Sequence, residues 1–320
     1  MRVGVIGLGS MGRNHARVFD ELGVLAAVCD SDRSVRPGRS DVDIYRDYRV
    51  MLEEERLDAI SVAVPTLLHH EVGKAVIEAG IPVLIEKPLA ATSVEAEDLI
   101  ASNARGVFLA VGFIERFNPA IAMLKERWEQ LGVVSQIIIR RMGPMPERVL
   151  DTGVILDLSV HDFDLVRYLT GSEMDCMAGL SSQTINEKKE DSAICIGRMK
   201  SGALVTLIHN WTTPTKIRDI TVHGERGMFH VDLLMQDLTF YENDYTAAEW
   251  RELSVFRGVS EGDHIQYHIE RKEPLKQELI AFLEGVDGKT SNSVSGRDGL
   301  FALRLAERLQ CLCEQNGKEL

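Results

Sequence analysis

The chain opens with an apolar strand that runs straight into a glycine loop: Val3-Gly4-Val5-Ile6, then Gly7-Leu8-Gly9-Ser10-Met11-Gly12. Few backbones require three glycines at that spacing. Gly7 takes the tight turn out of the strand, Gly9 keeps the approach of a pyrophosphate clear, and Gly12 lets the next helix lie close on the sheet. The helix predicted over residues 11–22 points its free N–H groups, with Ser10 and Met11 at its start, and its positive dipole end at the phosphates. A second strand, 24–29, ends at Asp30, where a carboxylate accepts from the ribose hydroxyls. That charge repels a 2′-phosphate, so NAD is favoured over NADP; Arg33 and Arg36 are the groups that would rescue a phosphate. The bland alternative is a tight turn without a ligand. The strand–loop–helix–strand–acid context counts against it.

At 320 residues the chain suits two domains rather than one core. Five irregularly spaced cysteines argue against a disulfide framework. Cys311 and Cys313 point to different faces of a predicted helix, which is poor geometry for a shared metal. A net charge of −13 disfavours nucleic acid as a partner. No apolar run is long enough for a membrane span, and the first strand begins at once, without room for a signal peptide. Cytoplasm is the expected location.

Strands and helices alternate up to about residue 115, which predicts a doubly wound parallel sheet. The expected helices lie near 48–54, 67–79 and after Thr92 or Ser93; the strands lie at 59–64, 82–85 and 107–111, with 31–40 as a surface loop. Beyond a helix at 119–131 the grammar changes. Residues 133–141 alternate in patches, a helix follows over 154–169, and consecutive strands fill 175–241 with turns at Lys200-Ser201-Gly202 and Gly224-Glu225-Arg226-Gly227. Two helices, 274–284 and 296–316, close the chain. The expected fold class is α/β: a Rossmann domain over 1–118, then an α+β domain over 119–320 with a large, mostly antiparallel open sheet, its final helices free to pack back on the first domain.

Two clusters carry chemistry. Glu86-Lys87-Pro88 lies at the carboxyl end of a predicted parallel strand, where ligands of such sheets gather. A lysine there hydrogen-bonds a substrate hydroxyl and favours the negative charge that develops as hydride leaves. Pro88 fixes the turn, a cis bond being one way to do so. On the tripeptide alone, a surface lysine is an equal reading. In Asp157-Leu158-Ser159-Val160-His161-Asp162 the first and fifth residues stack on one helix face. The carboxylate orients the ring, which makes His161 a candidate general base. Taken alone, such a pair is more often a surface ion pair. A metal held by Asp157, His161 and Asp162 fits poorly, because adjacent side chains diverge. The stretch Arg140-Arg141-Met142-Gly143-Pro144-Met145-Pro146-Glu147-Arg148 is basic and proline-stiffened; its arginines suit a phosphate or ordinary surface pairing equally.

Together, in order, these residues resemble the glucose–fructose oxidoreductase/inositol dehydrogenase/rhizopine catabolism family: the glycine loop with Asn14-His15, Val64-Pro65-Thr66 with His69, Glu86-Lys87-Pro88, and Asp157 with His161-Asp162. The resemblance spans essentially the whole chain. It implies a dehydrogenase with NAD in the first domain and a substrate under the open sheet, whose outer face often builds a homodimer or homotetramer. It implies that Lys87, His161 and Asp157 are catalytic. Pro65 and Thr66 would line the nicotinamide side, with His69, Glu86 and Lys87 among the cofactor-binding residues. Asp151-Thr152-Gly153 stands where the family often has two glycines. The stretches around Arg116-Phe117-Asn118 and Arg140 to Arg148 are similar to the branch acting on nucleotide sugars, notably UDP-N-acetylglucosamine 3-dehydrogenases. That likeness implies Arg116, Asn118, Arg140 and Arg148 for the sugar and diphosphate. A free sugar or inositol substrate is the alternative; a non-catalytic dinucleotide sensor is the alternative of another class.

Overall fold

The computed structural model describes residues 1–35, 42–146, 152–244 and 261–316. Two compact units divide the chain: Met1–Phe117 with Glu273–Glu307, and Asn118–Lys272 with the chain from Arg308. The segment from Glu273 thus returns to the first unit.

The first unit holds a seven-stranded sheet. Its strands are β1 (Val3–Ile6), β2 (Leu25–Cys29), β3 (Asp43–Tyr45), β4 (Ala59–Val62), β5 (Val83–Glu86), β6 (Leu109–Gly112) and β15 (Val294–Ser295), in the order β15-β6-β5-β4-β1-β2-β3. Without β15 this is the doubly wound dinucleotide-binding order, and the chain reverses direction across the sheet beside β1. Strands β1, β4 and β5 are buried at every position, as expected where helices cover both faces. The helices are α1 (Ser10–Glu21), α2 (Tyr48–Glu54), α3 (His69–Glu78) and α4 (Ser93–Ser102), with a 3-10 turn, Thr66–Leu68, leading into α3. Thr92 caps α4 in a reciprocal capping box with Glu95. Helix α7 (Pro274–Val286) buries Leu275, Leu279 and Phe282 against Val3, Val5, Val28 and Phe19. Three strands escaped the sequence reading: β3, the antiparallel β15 and, in the second unit, the strand over Glu261–Tyr267; β3 and β15, of three and two residues, are too short to show a period.

The second unit is built on an eight-stranded sheet. Strands β7 (Val134–Pro144), β8 (Met174–Ser182), β9 (Ser192–Met199), β10 (Leu204–Asn210), β11 (Thr212–Gly224), β12 (Gly227–Asp232), β13 (Asp237–Asn243) and β14 (Glu261–Tyr267) lie in the order β14-β13-β12-β11-β7-β10-β9-β8. All its pairs are antiparallel except β7 with β10, which run parallel. Helix α5 (Pro119–Glu126) starts at Asn118, and α6 (Val160–Thr170) stops at Gly171 in the left-handed region, φ 63°. Residues 155–159 were expected to be α-helical; they form a π-turn that leads into α6. The last helix, α8, spans Gly296–Asn316. No helix among the described residues is long and apolar enough to cross a membrane.

Candidate active site

The three loop glycines answer three different demands. Gly7 sits at φ 90°, and a Cβ there would meet the Ala63 carbonyl oxygen at 2.6 Å. A Cβ on Gly12 would lie 1.7 Å from the Gly7 carbonyl oxygen, so α1 approaches the loop as closely as backbone allows. A Cβ on Gly9 would meet nothing within 4 Å. That open side is the one a pyrophosphate needs. Helix α1 begins at Gly9 with no side-chain cap and no acidic residue in its first turn. Its first N–H groups therefore remain available to an anion. Both observations fit a dinucleotide phosphate on Gly9, Ser10, Met11 and Gly12.

Asp30 closes the other side of this cradle. One carboxylate oxygen accepts the Leu8 N–H at 2.7 Å, the other the Asp32 N–H at 2.8 Å. Each oxygen keeps a further lone pair for a ribose hydroxyl. Arg46 fixes the loop behind it by donating to the carbonyls of Asp30, Asp32 and Val35. Arg33 is exposed, and Arg36 lies outside the described residues.

Lys87 follows the last residue of β5 and is half-buried; its peptide bond to Pro88 is cis. Beneath it runs a buried polar chain. The Ser61 hydroxyl lies 2.7 Å from His15 Nδ1, and His15 Nε2 donates to Glu86 Oε1 at 2.9 Å. Burial alone pushes the Glu86 carboxyl up, but the His15 hydrogen bond and the neighbouring positive charge outweigh it and leave it below the usual value. Glu278 joins this cluster from α7, its carboxylate within 4.8 Å of the His15 and Glu86 ligand atoms. The 2.9 Å separation of His15 and Glu86 is that of a hydrogen bond. Two ligands of one zinc ion sit roughly 3.4 Å apart, so the cluster is a bonded charge network in this arrangement.

His69 and Glu86 were both expected to touch the cofactor. The ring nitrogens of His69 instead face two backbone carbonyls, Pro88 O at 2.7 Å and Val64 O at 2.9 Å. Burial lowers its pKa, and a neutral ring donates to one carbonyl at a time. His69 thus sits buried between the turn after β4, with exposed Pro65 and half-buried Thr66, and the turn that carries Lys87. Glu86 is buried and bonded to His15, so it too supports Lys87 from below.

In the second unit, Asp157 lies in the π-turn and is half-buried, while His161 opens α6 and is buried. A π-turn has more residues per turn than an α-helix, which still keeps residues four apart on one side. Gly153 precedes this segment because Glu190 lies against it: a Cβ on Gly153 would fall 2.0 Å from the Glu190 carboxylate. Glu190 accepts from the Ile155 N–H, and its carbonyl from the Val154 N–H, so it caps the turn that carries Asp157. No local pattern marked Glu190, which reaches the turn from across a loop.

The expected substrate arginines are dispersed. Alternation along β7 sends Ile137, Ile139 and Arg141 to the buried face and Arg140 to the other. Arg140 there grips Asp219 with Nε at 2.8 Å and Nη2 at 2.5 Å. Asn118 is buried as the cap of α5: its Oδ1 accepts the Ala120 N–H and its Nδ2 donates to the Leu233 carbonyl. Arg116 lies 3.8 Å from the Asp298 carboxylate in the first unit. Arg148 lies outside the described residues.

A glycine cradle with an open helix end, an acid at the tip of β2, and a lysine at the carboxyl end of β5 define an NAD-binding oxidoreductase. Residues 1–113 match the oxidoreductase family's NAD-binding Rossmann fold, and residues 145–318 match its C-terminal alpha/beta domain, so the chain belongs to the Gfo/Idh/MocA oxidoreductase family. It is 30% identical over 246 residues to a UDP-N-acetylglucosamine 3-dehydrogenase of Acidithiobacillus ferrooxidans, covering 75% of this chain and 77% of that one. A myo-inositol 2-dehydrogenase of Thermotoga maritima is 29% identical over 332 residues, covering 95% and 94%. Among solved structures, UDP-N-acetylglucosamine 3-dehydrogenase GnnA of A. ferrooxidans superposes with a TM-score of 0.87 at 26% identity, covering 98% of both chains.

Proposed function

We propose that the enzyme oxidises a sugar ring hydroxyl to a ketone, most specifically carbon 3 of UDP-N-acetylglucosamine or a related nucleotide sugar. The observation that carries the finer reading is the likeness to GnnA over 98% of both chains. His161 takes the hydroxyl proton, and Asp157 orients its ring. The role proposed for Lys87 is to donate to a substrate hydroxyl, its charge favouring the negative charge that develops as hydride leaves. Bound NAD supplies the hydride acceptor. A Lys87→Met variant loses most turnover and keeps NAD.

A free polyol or sugar is the second reading, and one observation favours it. A diphosphate is best held by arginine forks, whereas Arg140 grips Asp219 on the far face of the sheet. NADH formation with UDP-N-acetylglucosamine, free N-acetylglucosamine and myo-inositol separates the two, with a ketone-consuming aminotransferase present to pull the equilibrium. Turnover confined to the nucleotide sugar supports the first reading. Turnover confined to the free compounds overturns it. Arg140→Ala should leave the KM for a nucleotide sugar within about twofold, because rim ion pairs contribute little.

The outer face of the second sheet suits a homo-oligomer. Leu180 and Ile194 pair across β8 and β9, Ile196 follows, and Leu204 adds to them from β10. They are 58%, 49%, 56% and 53% exposed, a contiguous apolar patch of the kind that marks an interface. Light scattering of the wild type and of Ile196→Asp tests it; a monomer in both would end the idea.

A further inference from the structure

A charged triad is sealed between α6 and the second sheet. Asp162, in the first turn of α6, is fully buried; Arg141 on β7 is 3% exposed and His209 on β10 is buried completely. The parallel register pairs His209 with Arg141, so the two donors stand side by side on the inner face. Arg141 donates through Nε at 2.9 Å and Nη2 at 2.7 Å to one Asp162 oxygen. His209 Nε2 donates to the other at 2.8 Å. Burial pushes the Asp162 carboxyl up, but the Arg141 charge and the His209 hydrogen bond hold it below the ordinary aspartate value, so it is ionised.

Such a triad needs a reason. Ile139 and Leu207, two residues before Arg141 and His209 on the same face of the sheet, are fully buried apolar side chains. Replacing a buried ion pair by well-packed apolar groups is often neutral or stabilising, so stability does not account for it. Fixed geometry does. Three hydrogen bonds to two adjacent strands set both the rotation of α6 and its position along its axis. Asp162 directly follows His161, and neighbouring side chains on an α-helix diverge by about 100°. With Asp162 pinned to the sheet, the direction of His161 is determined. The need is greatest here, because α6 emerges from a π-turn at residues 155–159, where helical register is easily altered.

We propose that Arg141, Asp162 and His209 are positioning residues that hold His161 in its working orientation. The inference rests on the reading of His161 as the acid–base group. It is tested in the full-length enzyme with Asp162→Asn, Arg141→Met and Arg141→Lys. The ring signals of His161 are followed by NMR of nitrogen-labelled histidine and identified by their loss in His161→Gln. In Asp162→Asn and Arg141→Met these signals shift or broaden. The kcat falls 10-fold or more, while KM and NADH affinity stay within threefold. Arg141→Lys, which keeps the charge and a donor, recovers at least a third of the kcat. Unchanged His161 signals in Asp162→Asn overturn the proposal, as does a loss confined to KM. If Asp162→Asn fails to fold, His209→Gln carries the same readouts. Full turnover in His161→Gln would instead remove the acid–base reading, whatever the NMR of Asp162→Asn shows.

Discussion

His15 Nε2 donates to Glu86 Oε1 across 2.9 Å, joining the first helix to the residue before Lys87 over 71 positions of sequence. The glycine loop and the lysine turn are thereby one mechanical unit: α1 leaves the loop, and its buried histidine holds the end of β5. Glu86→Gln keeps the shape but loses the charge, leaving His15 with a weaker acceptor. A charged hydrogen bond of this kind contributes about 2 kcal/mol. The melting temperature is expected to drop by roughly 5 °C. Turnover should fall about tenfold, since a misplaced Lys87 costs reactive geometry. Thermal melts and steady-state rates check both; an unchanged kcat with a lowered melting point would make the network purely structural.

The same chemistry predicts an acid limit to stability. The Glu86 and Asp162 carboxyls are both held below their ordinary values in the folded protein. Unfolded, such groups titrate at about pH 4. As pH falls, the unfolded chain takes up protons first, so the stability they contribute is complete above about pH 5 and is lost as pH drops through the folded values. Urea midpoints measured from pH 7 to pH 3.5 should be flat at first and then fall. The double variant Glu86→Gln, Asp162→Asn starts lower and falls less steeply. A parallel decline in both proteins would place the acid sensitivity elsewhere.

Much of the fold was legible because its signals are local. The glycine loop, the helix over 48–54 and the last helix over 296–316 need only neighbouring residues to define them. In the candidate site, the backbone demands were legible where a motif met them, as at Gly7 and Gly12. The site was misread where one residue type serves two ends. Asn118 before Pro119 is a helix-start signal as much as a polar ligand, and the structure uses it as a cap. Arg140 and Arg141 are indistinguishable as adjacent cations until strand alternation sends one to Asp219 and the other to Asp162. The partners of His15, His69 and Asp162 lie on other strands or loops, so no spacing along the chain announces them.

Asp30 makes a prediction about cofactor choice. Its two oxygens already accept the Leu8 and Asp32 N–H groups, so it shapes the loop, and each keeps a lone pair that a ribose hydroxyl could use. Asp30→Ala removes the acceptor and the charge that repels a 2′-phosphate. The NAD dissociation constant should rise 10- to 100-fold, in line with the loss of about 1.5–3 kcal/mol for a charge-assisted hydrogen bond. NADP affinity should change little or improve, so the preference for NAD collapses. Fluorescence titration with NADH and NADPH measures the ratio. A ratio that stays at the wild-type value would assign Asp30 to the loop alone.

Gly9 and Gly12 separate binding from folding within one loop. Gly9 has φ −66° and ψ −163°, which any residue adopts, and its Cβ position is open. Gly9→Ala should therefore fold as the wild type does, with a melting temperature within about 1–2 °C, because a change that meets nothing stays within about 0.5 kcal/mol. With the pyrophosphate on the open side of Gly9, as the site reading has it, the added methyl group blocks its approach and NADH affinity should fall at least tenfold, about 1.4 kcal/mol. Gly12→Ala is the opposite case. Its Cβ would lie 1.7 Å from the Gly7 carbonyl oxygen, backbone against backbone with nothing flexible to yield. Helix α1 has to move off the loop, which carries His15 away from Glu86, and overpacking of this sort costs 1–3 kcal/mol or more. Stability and NADH affinity should fall together in Gly12→Ala, and affinity alone in Gly9→Ala. Equal losses of stability in the two variants would mean that the open side of Gly9 is not the phosphate side.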